Sequence, residues 1–104
     1  MSHSAKLWED IEARLAQQHW PESALYVVAT PIGNLLDLSW RAWHVLRLVD
    51  AIAAEDTRSS ATLLKAWHID TPLMAAHRHN ERQAAVAVIE RLNRGERVAL
   101  ISDA

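Results

Sequence analysis

The sequence predicts an α/β protein built on a parallel sheet with helices on both faces. Three observations lead there. Short apolar runs alternate with stretches whose apolar residues recur every three or four positions. The runs are apolar throughout and do not alternate with polar residues, as expected of strands covered on both sides. Each run leads at once into residues of turn or helix-cap type. Strands joined by helical crossovers lie parallel, and the crossovers are right-handed.

Residues 4–20 read as a helix, with Leu7, Trp8, Ile11 and Leu15 on one stripe and Glu9, Asp10, Glu12 and Arg14 between them; Pro21 ends it. Leu25–Ala29 is the first strand. Asp37 or Ser39 caps the next helix, whose buried stripe is Ala42, Trp43, Leu46 and Val49. Ala51–Ala54 is the second strand, and Asp56 or Thr57 caps a helix carrying Ala61, Leu64 and Trp67. Thr71-Pro72 breaks the chain before a third strand, Leu73–Ala76. Asn80 with Gln83 three positions on resembles a capping box, and Ala85, Val88, Ile89 and Leu92 form the stripe of the next helix. Gly95 stands where a helix terminator belongs, and Val98–Ile101 is the fourth strand.

The bulk properties bound the function. A chain of 104 residues suffices for one domain with one core. Half of it is hydrophobic and 23% is charged, an ordinary globular composition. A formal charge of −2 gives no global grip on nucleic acid or membrane, so any RNA contact needs a local basic patch. The absence of cysteine excludes disulfides and thiolate metal sites. No apolar run approaches the roughly 18 residues of a membrane span, and the N-terminus is charged where a signal peptide is apolar. Five tryptophans are read as packing residues.

The functional signal lies in the residues at the end of each strand. Thr30-Pro31-Ile32-Gly33-Asn34 comes after the first, Glu55-Asp56-Thr57-Arg58 after the second, His77-Arg78-His79-Asn80-Glu81 after the third and Ser102-Asp103 after the fourth. In a parallel sheet these points share one edge, where open α/β sheets bind ligands. Plainer readings stand beside this. Asp56, Thr57 and Asn80 serve equally as helix caps. Glu55, straight after Ala51–Ala54, is expected to be partly buried, and a buried carboxylate needs a partner, for which Arg58 is nearest. His77 and His79 share a face if extended; with Glu55 or Asp56 they would make a metal site, but loop histidines are more often polar surface, and no metal is assigned. Arg58, Lys65, Arg78 and Arg82 are either solvated charges or a phosphate-contacting rim. ATPIGNL is not a phosphate loop: it lacks spaced glycines and a lysine, and Pro31 has no N–H to offer an anion.

LYVVATPIGNLLDLSWRA, AIAAEDTRSSATLL, HRHNE and VALISDA, in that order, resemble the bacterial ribosomal RNA small-subunit methyltransferase I family, within the wider tetrapyrrole-methylase fold class. The resemblance runs from about Leu25 to Ala104 and leaves residues 1–23 outside as an N-terminal helical extension. It implies S-adenosylmethionine as cofactor and the ribose 2′-hydroxyl of a cytidine in 16S rRNA as acceptor. It also implies a cytoplasmic homodimer acting on the small ribosomal subunit, with no membrane. Members have two α/β domains with the cofactor between them, and the first domain continues through a Ser-Asp-Ala-Gly-Thr-Pro segment. Here the chain stops at Ala104, so residues 24–104 are expected to be an incomplete, truncated first domain, inactive alone. The resemblance implies five strands in that domain; four are present, and the exposed edge is expected to drive self-association.

On this reading Thr30, Pro31, Ile32, Gly33, Ser102 and Asp103 line the cofactor cleft. Pro31 to Asn34 form a stiff wall of carbonyls suited to a sulfonium cation. Glu55, Asp56 and His77 are candidates for the base that takes the hydroxyl proton; Glu55 is preferred, since its place after an apolar strand would raise its proton affinity. Asn34, Arg58, Arg78, Asn80, Glu81 and Arg82 face the RNA. The alternatives are a tetrapyrrole or other small-molecule methyltransferase, a non-catalytic RNA-docking module and a metal-dependent phosphoesterase.

Overall fold

A computed structural model describes residues 3–31 and 34–103. Helix α1 spans His3–Gln17. It is followed by β1 (Leu25–Thr30), α2 (Trp40–Leu48), β2 (Ala51–Ala54), α3 (Thr57–Ala66), β3 (Leu73–Ala75), α4 (Glu81–Asn93) and β4 (Val98–Asp103). Short 3₁₀ turns at Leu35–Asp37 and Arg78–Asn80 lie in the loops after β1 and β3. The sheet order is β1-β4-β2-β3, with every neighbouring pair parallel.

That order fixes the layers. The steps from β1 to β2 and from β2 to β3 move one way across the sheet, and the step from β3 to β4 moves back. Right-handed crossovers therefore set α2 and α3 on one face and α4 on the other. The core agrees: Val45 and Leu46 of α2, Val49 at its C-cap and Leu64 of α3 pack together with Val28, Ile52 and Ala99. Trp43 Nε1 donates to the Trp67 carbonyl at 3.0 Å and ties α2 to the end of α3.

The caps are local and chemical. Ser39, not Asp37, caps α2, its hydroxyl accepting from the Ala42 N–H. Asp56, not Thr57, caps α3. Helix α4 ends in a Schellman motif: Gly95 N–H bonds to Leu92 O and Glu96 N–H to Arg91 O, with Gly95 at φ +88°. Helix α3 ends the same way without a glycine. His68 sits at φ +58°, its N–H bonded to Lys65 O, while Ile69 N–H bonds to Leu64 O over a buried Leu64–Ile69 contact.

Several expectations need correction. Ala61, Ala85 and Ile89 are exposed, with Ser60 and Ala84 buried in place of Ala61 and Ala85, while Leu64 is buried and Trp67, Val88 and Leu92 are half-buried as the stripes expect. Strand β1 is not covered on both faces. Its burial alternates, with Val28 and Thr30 buried, Tyr26 half-buried, and Leu25, Val27 and Ala29 open. Only the central strand β2 is buried along its whole length.

Helix α1 docks on the α2 side. The Trp8 ring lies 4.5 Å from Trp40 and 4.9 Å from Trp43, and Leu15 is buried. Arg47 lies over the Trp43 ring at 4.2 Å and reaches Glu12 at 3.4 Å. Arg97 donates twice to the Trp20 carbonyl, at 3.0 and 2.9 Å, fastening the segment after α1 to the entry of β4.

The two helix ends make a paired prediction. Gly95→Ala places a Cβ in a left-handed conformation and costs about 1 kcal/mol, whereas His68→Gly relieves the same strain and gains up to about 1 kcal/mol. Urea denaturation midpoints of the two variants should move in opposite directions.

Candidate functional site

Because all four strands point one way, the residues at their ends meet along one rim, in the spatial order Pro31, Asp103, Glu55, Ala76. Two adjoining clefts open there. One, of about 440 Å³, is lined by Glu55, Asp56, Ser59, Ser60, Ala76 and Ser102, with Leu63, Leu100 and Ile101 as its apolar wall. The other, of about 640 Å³, is lined by Glu55, Asp56, Thr57, Arg58, His77, Arg78 and His79. Glu55 and Asp56 are common to both, so the turn after β2 is the centre of the site. Both clefts are of the size that takes a small molecule; the smaller has an apolar wall, whereas the larger is lined by polar and charged residues alone.

The rim residues differ in what their side chains are already doing. Asp56 Oδ1 accepts from the backbone N–H groups of Arg58 and Ser59, both at 3.1 Å, and Oδ2 accepts from the Ser59 hydroxyl at 2.9 Å. The Ser59 backbone and hydroxyl bonds, with help from Arg58, hold the Asp56 carboxyl below the usual carboxylate range. His77 closes the loop after β3: its Nδ1 accepts from the His79 N–H at 3.1 Å. Its own N–H donates to Asn80 Oδ1 at 2.8 Å, and Asn80 Nδ2 donates back to the Ala75 carbonyl at 3.0 Å. The capping box is thus His77 with Asn80 around the 3₁₀ turn, and not Asn80 with Gln83; Asn80 makes no side-chain cap on α4.

Glu55 is exposed, and among the described residues it has no ion pair with Arg58. The expected burial and pairing are absent because β2 ends at Ala54 and the next residue already stands clear of the sheet. Among the described residues the Glu55 carboxylate is thus without a partner, at the junction of both clefts.

The remaining candidates divide. Arg58 and Arg78 line the larger cleft, and Ser102 the smaller. Thr30 is a buried polar residue at the end of β1, opposite Asp103 in register, and Pro31 is half-buried beside it. Asn34 caps the 3₁₀ turn after β1, its Oδ1 accepting from the Leu36 N–H at 3.0 Å. Glu81 and Arg82 are exposed on the first turn of α4, outside both clefts. Ile32 and Gly33 lie outside the described residues. Ser59, Ser60 and Leu63 belong to the site although they are not among the residues singled out by sequence. A signal for them exists: a cap at Asp56 puts positions three, four and seven residues on, one helical stripe, above the same rim. Among the described residues no group of three His, Asp or Glu is arranged to hold a metal ion. None of their helices is long and apolar enough to cross a membrane.

The bonds on Asp56 have a consequence for pH. Its folded proton affinity is lowered, so its contribution to stability is complete above the ordinary carboxylate range and is lost as pH falls through the lower, folded value. In acid titrations monitored by circular dichroism, Asp56→Asn should flatten the part of the stability–pH curve that lies in that interval.

Comparison with known proteins agrees with this geometry. The family model described as Tetrapyrrole (Corrin/Porphyrin) Methylases matches residues 24–103. Proteins named ribosomal RNA small subunit methyltransferase I are similar over the same region. The one from Pseudomonas aeruginosa is 60% identical over 80 residues, 77% of this chain and 28% of that protein. The one from Escherichia coli O157:H7 is 49% identical over 83 residues, 80% of this chain and 29% of that protein. The one from Bacillus subtilis is 50% identical over 80 residues, 77% and 27% of the two lengths. The chain thus spans a little over a quarter of the length of these relatives, and α1 lies outside the matched region. With its parallel sheet, its rim of strand-end loops and a match over residues 24–103, the chain belongs to the tetrapyrrole (corrin/porphyrin) methylase family.

Proposed function

We propose that this chain is the N-terminal part of an S-adenosylmethionine-dependent ribosomal RNA methyltransferase, with residues 24–104 the incomplete first of two domains. The reaction is methylation of the ribose 2′-hydroxyl of a cytidine in 16S rRNA, carried out by a cytoplasmic homodimer. The observation that carries the reading is the convergence of the loops after β2, β3 and β4 on two clefts that share Glu55 and Asp56. It is joined by high identity to relatives named for small-subunit rRNA methylation.

The lining fits a cationic methyl donor better than a phosphate-bearing cofactor. Glu55 and Asp56 are carboxylates lining the smaller cleft, no arginine or lysine among the described residues lines it, and Leu63, Leu100 and Ile101 give it an apolar side. When bound, S-adenosylmethionine supplies an electrophilic methyl group. Thr30, Pro31, Ser102 and Asp103, at the neighbouring ends of β1 and β4, would contact it together with Ile32 and Gly33.

The chain's own residues then have separable tasks. The acceptor hydroxyl is a weak nucleophile, and a nearby base should take its proton as the new bond forms. Asp56 is held by three hydrogen bonds that favour its charged form, and is a poor proton acceptor. His77 uses the Nδ1 lone pair for its own turn, which leaves the proton of the neutral ring on Nε2. Glu55 alone of the three has no such commitment, and it takes the role of base. Arg58 and Arg78, on the wall of the larger cleft, hold RNA phosphates, with Arg82, Asn34, Asn80 and Glu81 as outlying contacts. The cytidine is presented unstacked, as in single-stranded RNA.

In the full-length protein, Glu55→Gln should lower single-turnover methyl transfer to small-subunit RNA by about a hundredfold while leaving the RNA dissociation constant within about twofold. Unchanged turnover removes Glu55 from the role. Arg78→Ala should instead weaken RNA binding and reduce the slope of log affinity against log salt by about one. An unchanged salt slope means that Arg78 touches no phosphate.

A further inference from the structure

We propose that His44 is an acid-sensitive latch for helix α1: a proton added to its imidazole, in the seam between α1, α2 and Trp20, releases α1 from the domain. The proposal is independent of methyl transfer and of the clefts at the rim.

Helix α2 offers α1 one stripe. Trp40, Trp43, His44 and Arg47 follow one another at three- and four-residue spacing along one side of the helix. Trp40 and Trp43 pack against Trp8 of α1, and Arg47 reaches Glu12 of α1 at 3.4 Å. His44 lies between these contacts, its ring 5.1 Å from that of Trp20 and tilted to it by 42°. Trp20 is itself tied to α1, since its Nε1 donates to the Leu15 carbonyl at 2.8 Å. The imidazole thus sits where the last turn of α1, the segment after it and α2 meet.

The His44 side chain is half-buried, but its Nε2 is enclosed and has no hydrogen-bond partner. Among the described residues it is the one side-chain nitrogen or oxygen in that condition. Buried polar atoms are nearly always paired, so such an orphan calls for a cause. A neutral ring tolerates the seat at modest cost. An imidazolium does not, because both of its nitrogens are donors, and an enclosed charged N–H without an acceptor costs far more than a neutral nitrogen.

The charges around the ring do not rescue the imidazolium. One carboxylate, Glu12 of α1, favours the proton, but it is already engaged by Arg47. Arg47 stands three residues further along α2, and Arg41 three residues back, its guanidinium 5.9 Å over the Trp20 ring. From β1 the Tyr26 ring reaches Trp20 at 6.3 Å, its hydroxyl occupied by the Pro21 carbonyl. A protonated His44 is therefore a third cation between two arginines. Burial first, and the Arg47 charge second, hold the imidazole below its ordinary range, with Glu12 opposing.

Once α1 is released, His44 returns to the ordinary imidazole value of 6.5, whereas in the docked form it binds a proton less readily. Well above that value the seat carries no penalty. As pH falls through it, the released form takes up the proton first and docking weakens, until pH passes the docked value and the loss is complete. Each pH unit between the two values changes the docking equilibrium about tenfold. Release bares the indoles of Trp40 and Trp43, so acid uncovers an apolar face of α2.

Fluorine NMR of the full-length protein carrying fluorotryptophan tests this, with the Trp8 signal assigned through Trp8→Phe. Between about pH 7.5 and about pH 5 the Trp8 resonance should move reversibly to a solvent-exposed position. His44→Phe, which fills the seat with a ring that cannot charge, should abolish the movement. His19→Gln, which removes an exposed histidine beside Trp20, should keep it. Histidine-labelled NMR titration of the unaltered protein needs no variant to fold: the His44 midpoint should lie below 6.5. A Trp8 resonance fixed over that range, movement that persists in His44→Phe or vanishes in His19→Gln, or a His44 midpoint at or above the ordinary value would each overturn the proposal.

Discussion

The rim depends on a strand of four residues, Ala51–Ala54, buried on both faces and bonded on both edges. Ile52 N–H bonds to the Pro72 carbonyl at 2.8 Å, and the Ala54 carbonyl receives the Ala76 N–H at 2.9 Å, which holds the start and the end of β3 against β2. Three of its four side chains are methyl groups, so helices on both faces approach closely without stranding polar atoms. The chain leaves this rigid strand at a fixed point, and the next two residues are Glu55 and Asp56. Their position between the loops from β3 and β4 is a property of β2 more than of the loop that bears them.

At the rim, residues of similar chemistry are set apart by their hydrogen bonds. Two adjacent carboxylates meet different fates: Asp56 turns back to cap α3 and accepts three bonds, while Glu55, at the cleft, has no partner among the described residues. The histidine that looks available from its spacing is engaged in its own turn. Counting polar residues after strands therefore overstates the number of groups able to exchange a proton with substrate. Structural and chemical duties compete for the same lone pairs.

How much of this is legible in the sequence depends on how local each feature is. Ser39, Asp56 and Gly95 are readable because a cap or terminator involves a few consecutive residues. The bounds of β2 are readable because it is a short apolar run between turn residues. Strand order is not legible, since it is decided by packing between distant segments. The openness of β1 depends on that order and is hidden with it. Asn80 misleads because its partners are the carbonyl of Ala75 at the end of β3 and the N–H of His77 in the loop, and not groups of the following helix. His68 gives no signal, as left-handed termini are expected at glycine. At the site, the convergence of strand ends is legible from parallelism alone, whereas the exposure of Glu55 is not.

The tryptophan cluster under α1 has an optical consequence. Trp8 lies within 4.5 and 4.9 Å of two indoles that belong to the family-matched part of the chain. Chromophores so close and mutually tilted couple electronically, and the coupling vanishes once they part. The near-ultraviolet dichroism of this protein is thus a built-in gauge of whether the extension is seated, readable without any added label.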